Sequence, residues 1–101
     1  MDSFTYQLTF DAEKEYLESY RWYEEQQENL GERFALSVRK KLQTISFNPY
    51  FYSKKKGRYH EASLGKPFPF VIVYIIDKKQ NLIVVTSIFH TSRNPKRKYK
   101  K

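Results

Sequence analysis

The stretch Phe70-Val71-Ile72-Val73-Tyr74-Ile75-Ile76 runs for seven residues without polar alternation, and nothing else in the chain constrains the fold as tightly. A strand with one wet face alternates apolar and polar side chains, so an unbroken run reads as a strand covered on both faces. It belongs inside a sheet, because an exposed edge of this composition would template pairing with other chains. Its neighbours follow from the turns around it. Arg58 to Leu64 and Leu82 to His90 have strand composition and are separated from a central strand over Phe68 to Ile76 by Gly65-Lys66-Pro67 and by Asp77-Lys78-Lys79-Gln80-Asn81. Connections this short make the neighbours antiparallel.

The chain upstream supplies the covering layer. Phe4-Thr5-Tyr6-Gln7-Leu8-Thr9-Phe10 alternates strictly, which predicts a strand with Phe4, Tyr6, Leu8 and Phe10 on a buried face. Asp11 is placed to cap a helix beginning near Ala12, with Glu13 and Glu15 in its positive first turn. Ala12, Tyr16, Tyr20 and Tyr23 then recur at spacings of four, four and three, one stripe of an amphipathic helix. Asn29-Leu30-Gly31 interrupts it, and Phe34, Val38, Leu42 and Ile45 form the stripe of a second helix that must stop near Asn48, before Pro49. The expected fold is α+β in the order β-α-α-β-β-β, with an N-terminal helical hairpin packed on a mainly antiparallel four-stranded sheet. A chain of 101 residues fits one such domain, assigned to residues 1–95. Residues 96–101 read as a flexible basic tail with little to pack.

Charge narrows the function classes. Between Asp11 and Glu32 eight acids face two bases, a local balance of −6 that leaves +14 for the rest of a chain whose total is +8. Such a surface has opposed electrostatic ends, and the basic end suits phosphate backbones or an acidic protein segment. The absence of cysteine excludes disulfides and thiolate metal sites. Two histidines thirty residues apart make a poor metal site, so no metal and no cofactor is expected. With no apolar leader or membrane-length run, the expected location is the cytoplasm, with no membrane partner.

Four phrases in one order carry a resemblance: the opening strand into Asp11-Ala12-Glu13-Lys14, then Trp22-Tyr23-Glu24-Glu25-Gln26, then Leu30-Gly31-Glu32-Arg33-Phe34, and last Phe89-His90-Thr91-Ser92-Arg93-Asn94-Pro95. Asn48-Pro49, Arg58 and Lys66-Pro67-Phe68-Pro69-Phe70 fall between them. Together they resemble toxins of the RelE/ParE superfamily over about nine-tenths of the chain, an agreement across several levels rather than one short motif. The resemblance implies a toxin held silent by a cognate antitoxin encoded beside it, and it is compatible with a homodimer or a toxin–antitoxin hetero-oligomer. RelE-like members cut messenger RNA on the ribosome, whereas ParE-like members poison DNA gyrase and hydrolyse nothing. A non-toxic nucleic-acid-binding module is a third reading.

Cleaving RNA requires a proton carrier and cations on the phosphate. The candidates are His90 as proton donor or acceptor, with Arg58 and Arg93 as phosphate clamps. Against this, His90 also reads as a strand-end residue bonded to backbone. RelE-like ribonucleases resemble one another in carrying lysines on the strand before the central one and an arginine inside the central strand. The matching positions of this chain are Ala62, Leu64 and Val71, none of which can neutralise a phosphate, so the resemblance leans to the ParE side. Candidate contacts to a target or antitoxin are Lys54, Lys55, Lys56, Arg58, His60 and Lys66, together with His90, Arg93, Lys96 and Arg97 at the end of the chain. Tyr50, Phe51 and Tyr52 read as core or as a groove for a partner in preference to base stacking.

Overall fold

The computed structural model describes residues 4–99. In chain order it has β1 (Thr5–Leu8), α1 (Phe10–Gln26), α2 (Leu30–Phe47), β2 (Lys54–Lys56), β3 (Tyr59–Ser63), β4 (Phe70–Asp77) and β5 (Leu82–His90), then a 3-10 turn at Pro95–Arg97. The apolar run is interior as expected, since the sheet order is β1-β5-β4-β3-β2. Phe70, Ile72 and Tyr74 point from β4 into the helical layer and are buried there with Phe34, Val38, Leu42 and Ile45. The stripe of α2 and the tyrosines of α1 are thus the faces that the helical spacing indicated.

The sheet corrects the expected four strands in two ways. It has five, and it is mixed: β1 runs parallel to β5, with Thr5 opposite Leu82 and Leu8 opposite Val85. Parallel pairing needs a long crossover, which the intervening elements provide. The added strand, β2, consists of three lysines and has no apolar period. It exists because Lys54 and Lys56 pair with His60 and Tyr59 on the outer edge of β3, where lysine also discourages further pairing. Arg58 falls in the turn before β3, not on it.

The first strand is shorter than its alternation suggests. Thr9, not Asp11, caps α1: its Oγ1 accepts from Ala12 N at 3.2 Å, while its own N–H donates to Val85 O at 2.9 Å and prolongs the ladder. The helix therefore starts at Phe10, which turns outward and is 79% exposed. Phe4 and Leu8 pack partly against the core, and Tyr6, 37% exposed, borders a hollow with Leu8, Tyr16 and Leu42 on the same helical side.

Among the described residues no strand lies beside the edge of β5 beyond Leu8, and Glu15 takes over. Its Oε1 accepts from Ile88 N and from Ser87 Oγ, both at 2.9 Å, so α1 closes the edge with a carboxylate. The hairpin itself depends on Gly31, where a Cβ would lie 2.7 Å from Tyr20 O and from Glu24 Oε1. Glu24 in return accepts from the Asn29 and Gly31 amides at the start of α2.

The segment read as a flexible tail has partners on the open face of the sheet. Lys98 Nζ lies 3.3 Å from Glu61 Oε2 and over the Phe89 ring, and the Tyr99 hydroxyl donates to Glu61 Oε2 while its ring meets Tyr59. Glu61 projects to this face because it pairs with Val73, whose neighbours in the strand point the other way. Lys100 and Lys101 of the expected tail lie outside the described residues. Burial, then the bond to Glu61, pushes the Tyr99 hydroxyl up to about 12 from an ordinary 10.0. A raised folded value means that the neutral form is preferred in the native state. Its contribution to stability is complete below pH 10 and is lost as pH rises towards 12. Ultraviolet titration should show a late tyrosine that moves back towards 10 in Glu61→Gln, and an unchanged titration curve would show that the contact does not form.

Candidate functional site

His90 and Arg93, singled out in the sequence, meet at one end of the sheet. β5 delivers His90 opposite Phe70, and the chain then turns so that Arg93 N donates to His90 O at 3.0 Å. The two side chains line a cleft of about 400 Å³ whose apolar wall is Trp22, Tyr23 and Phe70. Ser92 and Ser19 add hydroxyls, and Glu18 sits on the rim. A space of this size accommodates one or two partner side chains or a small ligand.

The hydrogen bonds of His90 fix its chemistry. Nδ1 lies 3.1 Å from Ser92 N and 2.7 Å from Ser92 Oγ. A backbone N–H can only donate, so Nδ1 is the acceptor and the proton of the neutral ring resides on Nε2. The ring packs edge to face on Phe70, with centroids 4.9 Å apart. His90 thus offers the cleft a donor, whereas its basic nitrogen is turned into the turn that follows β5.

The other sequence-derived candidates scatter. Arg58 precedes β3 at the end where His60 pairs with Tyr74, whereas His90 pairs with Phe70. Four residues of β4 separate those rungs, about 13 Å at the usual rise of a strand, and Arg58 lies two residues farther still. It cannot share a phosphate with His90. His60, expected on the working surface, is 7% exposed. Its Nδ1 is 2.6 Å from Tyr52 O and its ring stacks on Tyr74 at 5.0 Å, so it ties the loop after α2 to the sheet. Lys54, Lys55 and Lys56 lie on the far edge strand. Lys66 is exposed in the loop leading to Phe70, on the cleft's end of the molecule.

Lys96 and Arg97 occupy the 3-10 turn, and Arg97 with Arg93 borders a second hollow lined by Asp11, Glu15 and Glu18 of α1. The surface around this hollow is mixed in charge, because the fold brings the acids and Lys14 of α1 beside the basic end of the chain. Trp22 and Ser92 were not singled out as site residues in the sequence. Trp22 carried a signal, since it falls off the Ala12-Tyr16-Tyr20-Tyr23 stripe, and an indole off the core-facing stripe is exposed, here by 56%.

The positions that hold the phosphate in RelE-like ribonucleases are equally uninviting. Ala62 is fully buried under the helices, Leu64 packs against the core, and Val71 sits opposite Phe89. A family model described as the ParE toxin of the type II toxin-antitoxin system, parDE, matches residues 6–95. The chain belongs to the ParE toxin family. It is therefore a toxin of a type II toxin-antitoxin system within the RelE/ParE superfamily, and the family implies a cognate antitoxin. No curated protein matches the sequence. In this ParE-family chain the closing phrase from Phe89 to Pro95 builds one wall of the cleft, and the helix-one phrase beginning at Trp22 builds the wall facing it. Among the described residues no helix is long and apolar enough to cross a membrane.

Proposed function

We propose that this toxin arrests growth by binding and poisoning DNA gyrase, with the cleft between Trp22 and Arg93 as part of its docking surface, and that it does not cleave RNA. The observation that carries the reading is the dispersal of the groups that RNA cleavage needs. Arg58 is remote from His90, His60 is buried, and Ala62, Leu64 and Val71 stand where the phosphate would need cations. A cleft with an indole, an imidazole N–H and a guanidinium fits the anchors by which proteins hold one another, in which aromatic and arginine residues contribute most of the affinity.

The test is a supercoiling assay on purified gyrase beside a cleavage assay on translating ribosomes. Supercoiling should fail while messages stay intact. Trp22→Ala and Arg93→Ala, both at exposed positions, should each raise the inhibitory concentration about tenfold or more, equivalent to roughly 1.4 kcal/mol. Cleaved messages with undisturbed supercoiling would reject the reading in favour of a ribonuclease.

A further inference from the structure

At the end of the sheet opposite the cleft, lysines and exposed aromatic rings come together. There the loop after α2, the β2–β3 turn and the β4–β5 turn converge. Thr5 N donates to Asn81 O and Phe4 N to Ser46 O, which brings the β4–β5 turn beside the end of α2. Tyr74 Oη donates to Pro49 O at 2.7 Å and seats the loop on the sheet. Three large aromatic side chains stand out from this end: Phe47, Tyr50 and Phe51, the last of them 72% exposed.

Lysines are interleaved with these rings. Lys78 Nζ lies 5.8 Å from the Tyr50 ring centre, and Lys41 Nζ lies 5.4 Å from that of Tyr52, which meets Phe51 edge to face. Lys79 extends the turn, and Lys54 begins the edge strand two residues after Tyr52. The acid of this turn, Asp77, is occupied: its Oδ1 accepts from the Lys79 and Gln80 amides and its Oδ2 from Gln80 Nε2. Among the described residues neither Lys78 nor Lys79 forms a salt bridge with it.

Exposed rings spaced between lysines that form no salt bridge among the described residues match one ligand chemistry, in which unpaired bases stack on rings and phosphates meet ammonium groups. We propose that this end of the molecule, formed by Tyr50 and Phe51 with Lys54, Lys78 and Lys79, binds single-stranded nucleic acid. A duplex hides its base faces, so it would use the lysines and leave the rings idle. An acidic peptide would use the charges without needing several flat rings in the open. The surface shares no residue with the cleft at His90 and Arg93, so failure of the gyrase reading leaves it standing, and the reverse holds too.

Fluorescence anisotropy of the full chain with a labelled oligothymidine of about 20 nucleotides tests it. Binding should weaken linearly with the logarithm of salt concentration, and Lys78→Glu with Lys79→Glu should reduce that slope by about 1.4, at roughly 0.7 per phosphate lost. Phe51→Ala should raise Kd about tenfold without changing the salt slope, because a stacking ring and not a charge is removed. The ring is exposed, so this variant keeps its fold, and unchanged circular dichroism and melting check that. The proposal is overturned if Phe51→Ala binds as tightly as the parent, if a duplex of equal length competes equally well, or if polyglutamate displaces the oligonucleotide at matched charge.

Discussion

Replacing Phe34 with alanine is expected to lower the melting temperature by about 15–30 °C, the largest effect of any single exchange considered for this chain. Phe34 is fully buried, and its ring meets four others: Tyr16 at 5.9 Å, Tyr23 at 5.3 Å, Phe68 at 5.5 Å and Phe70 at 5.0 Å. It joins both helices to the central strand. Truncation removes the transfer energy of the ring and leaves a cavity that the rigid neighbours cannot fill, a loss of about 3–5 kcal/mol. For a domain with a stability of roughly 5–15 kcal/mol this approaches unfolding at physiological temperature. Phe51→Ala removes the same atoms from an exposed site and should cost less than about 0.5 kcal/mol. A loss below about 1 kcal/mol for Phe34→Ala, measured by thermal or urea unfolding, would show that the aromatic cluster is not what holds the layers together.

Glu15→Ala should cost about 2–4 kcal/mol although it changes a residue on a largely acidic, solvent-facing helix. The carboxylate receives the Ile88 amide and the fully buried Ser87 hydroxyl, and alanine would leave both donors with no acceptor. Hydrogen bonds to a charged acceptor are worth roughly 1.5–3 kcal/mol each when intact, and a buried donor left unpaired costs a comparable amount. Glu15→Gln keeps an acceptor oxygen without the charge, so it should recover about half of the loss. Amide hydrogen exchange gives the local reading: the Ile88 amide should exchange faster in Glu15→Ala than in the parent, beyond the change expected from global stability. Equal protection would mean that another group holds the edge of β5.

Parts of this architecture were legible in the residues themselves. The spacing of Phe34, Val38, Leu42 and Ile45 gave the buried face of α2, and the unbroken run from Phe70 to Ile76 gave the interior strand, because side-chain direction repeats with the backbone period. Short turns fixed the antiparallel neighbours for the same local reason. Three lysines in a row carried no such period, so β2 went unread. Strict alternation from Phe4 to Phe10 overstated β1, because Thr9 could serve both the sheet and the helix cap.

The candidate site was legible only in part. His90 and Arg93 lie three residues apart, and one turn was enough to bring them together. Arg58 and His60 were grouped with them on a strand expected to reach the same edge of the sheet, but register moved the first away and the ring-stacking of Tyr74 buried the second. Trp22 reaches the cleft across nearly seventy residues of sequence.

The amino-acid order alone determined the two helices, the three antiparallel strands after them and the stripes these bury, and that the chain is a basic toxin of this family, because each of these is written in local period or in a long run of matched phrases. Tertiary structure alone decided that β1 joins β5 in parallel, that Glu15 closes the edge of β5, and that acids of α1 stand beside Arg93 and Arg97 while Lys78 and Lys41 lie over the rings of Tyr50 and Tyr52. Those outcomes depend on which distant segments come to share one edge or one end of the sheet, and no spacing along the chain encodes a meeting between residues that only packing brings together.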